Sequence, residues 1–82
     1  MEKIVIYGAG MIGTSERLVN FLQSTYEIVA YCDSDREKHG KVYHNCEVID
    51  FKEMTDLINK KQIDMVVMAI AKKEIVGVVG EE

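Results

Sequence analysis

The sequence predicts an α/β domain, in which a Rossmann-like parallel sheet of about four strands is flanked by helices. Short apolar runs typical of buried strands alternate along the chain with segments whose apolar residues recur at helical spacing. A glycine-rich turn follows the first run, and an acidic residue follows the second. Because strands joined by helical crossovers are parallel and their connections are right-handed, the expected strand order is 3-2-1-4.

The four predicted strands are short runs in which apolar and β-branched residues are frequent. They cover residues 3–7, 27–32, 46–49 and 64–70. The last run is continuously apolar after Asp64, a composition that predicts a strand covered on both faces. Residues 34–45 are polar and contain a glycine, so we expect a loop there, with one helical turn near residues 35–38.

Two segments have the spacing of amphipathic helices. The first covers residues 11–24, and the residues predicted to share one face are Thr14, Leu18, Phe21, Leu22 and Thr25. The second begins after Asp50, which forms a capping-box pattern with Glu53. The residues predicted to share its apolar face are Phe51, Met54, Leu57, Ile58 and Lys61.

The C-terminal residues 71–82 fit this pattern less well. Apolar residues that favour burial alternate there with glycines that weaken a helix, namely Ile75, Val76, Gly77, Val78, Val79 and Gly80. A complete doubly wound domain continues with another crossover helix and more strands. We therefore expect residues 1–82 to form one C-terminally truncated domain that is part of a larger domain or protein.

Composition restricts the classes of partner. The 82 residues carry a formal net charge of −4 and show no basic cluster of the kind that binds nucleic acid, so we predict no nucleic-acid partner. No apolar run approaches about 18 residues, which predicts no membrane span. Cys32 and Cys46 do not form a CxxC pair and favour reduced thiols, from which we predict a cytoplasmic location.

The glycines after the first strand match the pattern GxGxxG through Gly8, Gly10 and Gly13. The match lies between a predicted strand and a predicted helix, the context in which it indicates a Rossmann-type nucleotide site. Gly8 permits a tight turn, Gly10 lets a pyrophosphate approach the backbone, and Gly13 permits close packing of helix and sheet. We predict that Met11 and Ile12 of the same loop also contact the cofactor, whose phosphates face the helix N-terminus.

Asp33 completes the predicted site. It follows the second strand, 20 residues after Gly13, where an acid accepts hydrogen bonds from an adenosine ribose. A carboxylate there repels a 2′-phosphate, which favours NAD(H) over NADP(H), although Arg36 is near enough in sequence to weaken that preference. CoA and S-adenosylmethionine are less favoured ligands. The alternative is a fold whose glycines serve packing alone, with no bound cofactor.

Other residues indicate no chemistry of their own. A zinc site is disfavoured because its candidate ligands are irregularly spaced: Cys32, His39, His44 and Cys46. Tyr7 either borders an adenine pocket or belongs to the core. Because the chain lacks GxxxxGK[ST], HExxH, GxSxG and a Tyr-x-x-x-Lys pair, we predict no catalytic residue and no metal ligand, and a small-molecule nucleotide as the partner.

The run from Lys3 to Gly13 resembles the start of a Rossmann-type, NAD- or CoA-binding-like domain of bacterial polysaccharide-biosynthesis proteins in the nucleoside-diphosphate-sugar epimerase/dehydratase group. The resemblance extends through residues 28–35, 38–41, 47–48 and 64–69. The sequence departs from the family at Asn45, where glycine is usual before the third strand. The resemblance implies that the nucleotide contacts the residues Gly8, Gly10, Gly13 and Asp33.

These features predict an NAD(H)-binding module of a nucleotide-sugar or polysaccharide-biosynthesis protein. Catalysis would then come from a C-terminal domain outside this chain. Two alternatives remain open. One is a ligand-sensing regulatory domain, as in redox-sensing repressors. The other is a structural half-domain that forms a homodimer without ligand and covers its exposed sheet edge in that way.

Overall fold

The computed structural model describes residues 1–70, and the expectations for residues 71–82 lie outside this described part. The described residues form a five-stranded sheet with helices packed against it. The elements are β1 (Glu2–Tyr7), α1 (Glu16–Gln23), β2 (Tyr26–Cys32), β3 (Val42–Tyr43), β4 (Cys46–Ile49), α2 (Phe51–Asn59) and β5 (Met65–Met68). A short 3₁₀ turn, Arg36–Lys38, lies between β2 and β3, as the sequence predicts.

The sheet has the order β3-β4-β2-β1-β5. The pairs β4–β2, β2–β1 and β1–β5 are parallel, whereas β3 pairs with β4 in the antiparallel sense. The predicted order 3-2-1-4 is confirmed, because β4 and β5 are the third and fourth predicted strands. The predicted α/β class is also confirmed, and the sheet is mixed rather than wholly parallel.

The additional strand lies inside the segment 34–45, which the sequence predicts as loop. Tyr43 pairs with Cys46, and the two residues between them, His44 and Asn45, have φ angles of 51° and 65°. Two consecutive left-handed residues form the tight turn that suits a β-hairpin, and asparagine tolerates this conformation well. Asn45 therefore adopts a left-handed conformation at the position where the polysaccharide-biosynthesis family usually has glycine.

The core consists of two apolar clusters, because alternate residues of each strand point to opposite faces of the sheet. One cluster packs with α1 and contains Ile4, Ile6, Ala9, Leu22, Tyr31, Cys46, Val48 and Ala69. The other packs with α2 and contains Val5, Ala30, Cys32, Ile49, Met54 and Ile63. Both helices are thus needed to cover the central strands β1 and β2.

Helix α1 is shorter than the predicted span 11–24. It begins after Ser15, whose hydroxyl accepts a hydrogen bond from the N–H of Leu18 at 3.3 Å. Residues 11–14 form a separate turn, in which the N–H of Thr14 bonds to the carbonyl of Gly10 at 3.0 Å. Val19 and Leu22 are the buried residues of α1, while Phe21, which the sequence places on one face with Leu18 and Leu22, is 72% exposed.

The second half of the chain also departs from its predicted burial. The Asp50 cap is present, with its side chain accepting from the N–H of Glu53 at 2.8 Å. However, Phe51 and Ile58 are exposed and Met54 is the buried residue of α2. Strand β5 has exposed residues at both ends, since among residues 1–70 it is flanked only by β1. The prediction that this strand is covered on both faces is therefore wrong.

Two glycines bring the glycine loop against the sheet. Gly8 has a φ of 115°, and a Cβ there would lie 2.6 Å from the carbonyl oxygen of Ala69 at the end of β5. A Cβ at Gly13 would overlap the carbonyl oxygen of Gly8. The buried hydroxyl of Tyr31 donates a hydrogen bond to the carbonyl oxygen of Gly13 at 2.8 Å. Burial raises the pKa of Tyr31 to about 12, with a smaller electrostatic contribution from the neighbouring Cys46.

We predict that Gly13→Ala destabilises the domain and that Gly10→Ala does not. At Gly13 the added methyl group forces the loop away from β1, which should lower the free energy of unfolding by about 2 kcal/mol or more. At Gly10 a Cβ meets no atom of residues 1–70 within 4 Å, so the change should stay within about 1 kcal/mol. Urea unfolding of both variants tests this, and equal losses of stability would contradict it.

Candidate functional site

A cleft of about 450 Å³ lies at the carboxyl ends of β1, β2 and β5. From β1 the chain crosses to β2 on one side, and the later strand β5 adds on the other side. Such a reversal of strand order leaves a crevice in which open α/β sheets bind ligands. The described residues that line it are Tyr7, Gly8, Gly10, Met11, Ile12, Asp33, Ser34, Asp35, Lys38, Ala69 and Ile70.

The three glycines of the motif have different environments. Gly8 and Gly13 are required by packing, as their tight contacts show. Gly10 faces the cleft, its φ lies outside the left-handed region, and a Cβ there would meet no atom of the described residues 1–70 within 4 Å. Neither backbone conformation nor packing within residues 1–70 therefore requires glycine at position 10.

Asp33 joins the end of β2 to the glycine loop. Its Oδ2 accepts a hydrogen bond from the N–H of Ala9 at 2.8 Å, and its Oδ1 accepts one from the N–H of Asp35 at 2.9 Å. The first bond spans from β2 to the turn after β1, and the second shapes the start of the next loop. Asp33 thus has a structural role that sequence analysis did not predict.

Burial and hydrogen bonding act in opposite senses on the Asp33 carboxyl. Burial alone would raise its pKa, because a charged group loses hydration there. The backbone N–H groups of Asp35 and Ala9, together with the Lys38 ammonium, stabilise the charged form. The net result is a pKa below the ordinary value, so Asp33 is a carboxylate at neutral pH.

Lys38 is the cleft residue that sequence analysis missed. Its Nζ lies 3.7 Å from Asp33 Oδ2, and its side chain is 30% exposed. Arg36, which the sequence suggested as the neighbouring cation, is exposed and does not line the cleft. In a 3₁₀ turn, the side chains of residues two apart point in different directions. The order of charged residues in the sequence does not show which of them points into the cleft.

Met11 and Ile12 line the cleft, and both are exposed, Met11 by 92%, while their contact with a cofactor stays a prediction. They belong to the turn that precedes α1, not to the helix itself. The prediction of a helix that begins at residue 11 is therefore wrong, and the approach of phosphates to the helix N-terminus stays a prediction. Gly8, Gly10 and Asp33 share the same cleft with them, whereas the buried Gly13 is not among the residues that line it.

The two histidines support the backbone around the cleft. His39 Nε2 lies 2.6 Å from the carbonyl oxygen of Asp33, and His44 Nε2 lies 2.7 Å from that of Thr14. Because a carbonyl oxygen only accepts, each imidazole carries its proton on Nε2. Cys32 and Cys46 are free and buried in different apolar clusters.

The sequence as a whole matches a defined family. The C2185-like, N-terminal family matches residues 1–81. The chain belongs to this family. The C2185-like N-terminal domain described here therefore combines a Rossmann-like sheet with a glycine loop and a strand-two acid.

Its relatives of known structure include a dehydrogenase and repressors. UDP-D-quinovosamine 4-dehydrogenase from Vibrio fischeri superposes with a TM-score of 0.70 at 28% identity, over 98% of this chain and 70% of that one. RSP, a Rex-family repressor solved in complex with β-NADH, superposes with a TM-score of 0.73 at 25% identity, over 88% of this chain and 35% of that one.

A curated relative is the redox-sensing transcriptional repressor Rex of Caldicellulosiruptor saccharolyticus. It is 29% identical over 69 residues, which are 83% of this chain and 32% of the repressor. The C2185-like N-terminal domain thus spans about a third of that protein. The prediction of NAD as the ligand class agrees with the β-NADH complex of RSP, and these relatives support nucleotide binding without separating a biosynthetic role from a regulatory one.

The prediction of no nucleic-acid partner is wrong. RSP has also been solved with β-NAD⁺ and operator DNA, and it superposes on 88% of this chain at 25% identity with a TM-score of 0.71. The prediction rested on the net charge of these 82 residues, and they match only 34% of that repressor, so their charge says nothing about the rest of a DNA-binding protein.

Among residues 1–70, neither α1 nor α2 has the length and apolar character needed to cross a membrane.

The lowered pKa of Asp33 implies that the stability of the fold depends on pH. The unfolded pKa of aspartate is about 3.9. Because the folded pKa lies below it, the stabilisation by the carboxylate is fully present above the unfolded pKa and is lost as pH falls through the folded pKa. We expect Asp33→Asn to lower the free energy of unfolding by about 1–3 kcal/mol at neutral pH, because the amide cannot replace both acceptors.

The measurement is urea unfolding of wild type and Asp33→Asn from neutral to acidic pH. The difference between them should shrink as pH falls below about 4. Asp56→Asn, on the exposed surface of α2, is the matched control and should behave like wild type. A difference that does not change with pH would show that Asp33 acts through shape and not through charge.

Proposed function

We propose that this domain binds NAD(H), with the pyrophosphate against residues 8–13 and the adenosine ribose at Asp33. The observation that carries the proposal is the environment of Gly10. Packing accounts for Gly8 and Gly13, but no atom of residues 1–70 lies within 4 Å of a Cβ placed at Gly10, so packing in this part of the chain does not require glycine there. A pyrophosphate that approaches the backbone closely does require one.

The cleft also has the size and the chemistry for such a ligand. Its volume of about 450 Å³ falls within the range of small-molecule sites. An ionised carboxylate offers about four acceptor positions, and the N–H groups of Ala9 and Asp35 occupy two at Asp33. Acceptor capacity therefore remains for the ribose hydroxyls. Met11, Ile12 and Ile70 add apolar surface against which a ring can pack.

We further propose that the domain is the nucleotide-binding module of a nucleotide-sugar or polysaccharide-biosynthesis protein. The likeness to UDP-D-quinovosamine 4-dehydrogenase, which extends over 98% of this chain, supports this role. The reacting groups would come from residues outside the site described here. Homodimer formation remains a prediction, and the exposed ends of β5 at the sheet edge are the surface that favours it.

A ligand-sensing role is the second candidate function. It is favoured by the 29% identity to the redox-sensing repressor Rex over 83% of this chain. In this role the domain would report the ratio of reduced to oxidised nucleotide to a partner, which in the relative RSP includes operator DNA.

Calorimetric titration with NADH tests the binding proposal. We expect saturable binding by the wild type, and a loss of at least about tenfold in Gly10→Val, because the branched side chain occupies the pyrophosphate position. Unfolding measurements should show that Gly10→Val remains folded. CoA and a UDP-sugar, titrated separately, should bind more weakly than NADH.

Gly10→Val is a sharper test than Asp33→Ala. Removing the Asp33 carboxylate also releases the N–H of Ala9, so a weaker affinity would not distinguish a lost ligand contact from a loosened loop. Thr25→Val, an exposed change in the turn between α1 and β2, is the matched control. Equal NADH affinity in wild type and Gly10→Val would show that the ligand binds away from Gly10.

The ratio of NADH to NAD⁺ affinity tests the second candidate. A ligand can shift a conformational equilibrium only by its differential affinity, so a redox sensor has to respond differently to the two forms. We expect a module that only holds its cofactor to bind both within about tenfold. A preference for NADH of about a hundredfold or more would favour the sensing role.

A further inference from the structure

The loop after β2 presents one cation to the ribose end of the cleft. Lys38 lines the cleft and its Nζ lies 3.7 Å from Asp33 Oδ2. Arg36, two residues earlier, is exposed and does not line the cleft. Two cations that look equivalent in the sequence are therefore distinguished by the direction in which the 3₁₀ turn points them.

The backbone that carries Lys38 is held in place by hydrogen bonds on both sides. The Asp35 side chain accepts from the N–H of Glu37 at 3.0 Å, which caps the turn. The N–H of Lys38 bonds to the carbonyl of Asp35 at 3.0 Å, and the carbonyl of Lys38 accepts from the N–H of Lys41 at 3.1 Å. The ammonium group is thus presented from an ordered turn, which lowers the entropic cost of using it in binding.

Charge at this end of the cleft is nearly balanced. Asp33 and Asp35 contribute two formal negative charges and Lys38 one positive charge, which leaves a formal charge of −1. Asp33 by itself would reject a 2′-phosphate strongly. A lysine within reach of the same ribose offsets that repulsion and offers a donor to the phosphate oxygens.

We infer that Lys38 determines how strongly the domain discriminates between NAD(H) and NADP(H). This inference rests on the proposed binding of a dinucleotide at Asp33. In complex with NADH, Lys38 remains paired with Asp33 and contributes little to affinity. In complex with NADPH, Lys38 turns to the 2′-phosphate and recovers part of the affinity that Asp33 removes. The site therefore prefers NAD(H) over NADP(H) less strongly than a site with Asp33 and no lysine would.

The experiment is calorimetric titration of wild type, Lys38→Gln and Arg36→Gln with NADH and with NADPH. Lys38→Gln should weaken NADPH binding by about fivefold or more, while NADH affinity changes by less than about twofold. Arg36→Gln removes the same charge from the same turn outside the cleft, and it should leave the ratio of the two affinities as in wild type. Urea unfolding should show all three proteins equally folded.

A double-mutant cycle gives a second readout. Asp33→Asn removes the repulsion of the 2′-phosphate and releases Lys38, so it should shift the ratio towards NADPH. The double variant Asp33→Asn/Lys38→Gln should keep the part of that shift due to the lost repulsion and lose the part that depends on Lys38. Equal effects of Lys38→Gln and Arg36→Gln on the ratio would overturn the inference while leaving NADH binding intact. Equal weakening of both ligands by Lys38→Gln would also overturn it. Failure of wild type to bind either ligand would overturn the proposed function and this inference together.

Discussion

The close approach of Gly13 to the carbonyl of Gly8 is the constraint on which the rest of this domain depends. It brings the turn after β1 back over the end of its own strand, at a distance that no side chain permits. The Tyr31 hydroxyl then reaches the Gly13 carbonyl from β2, in a fully buried position. Helix α1 can cover β1 and β2 only because the chain turns this tightly before it begins.

The ends of the strands at this edge of the sheet are linked to one another around Gly8. Its N–H bonds to the carbonyl of Cys32 at 2.8 Å, and the N–H of Ala69 bonds to the carbonyl of Tyr7 at 2.8 Å. Asp33 adds a charged acceptor to the N–H of Ala9. The candidate site is therefore organised by the same hydrogen bonds that hold the sheet together. Such a site is preorganised, which lowers the entropic cost of binding a ligand there.

The predictions that succeeded concern positions where backbone chemistry restricts the residue type. Gly8 and Asp50 indicate a tight turn and a helix cap, and both are present where the sequence places them. The predictions that failed concern burial. Helical spacing places Phe21 and Phe51 on one face with other apolar residues, yet both side chains are exposed. Which face of a short helix meets the sheet depends on packing, which the spacing does not encode. The strand β3 was missed because its turn uses His44 and Asn45 in place of glycine.

The sequence by itself determined the α/β class, the strand order and the place of the glycine loop, because apolar periodicity and glycine chemistry act over short distances along the chain. Only the tertiary structure decided the partners of Asp33, the separation of Lys38 from Arg36, and the lack of a packing contact at Gly10 within residues 1–70. Each of these depends on how distant segments meet. The bond from Asp33 to Ala9 joins residues 24 positions apart, and only folding brings them together.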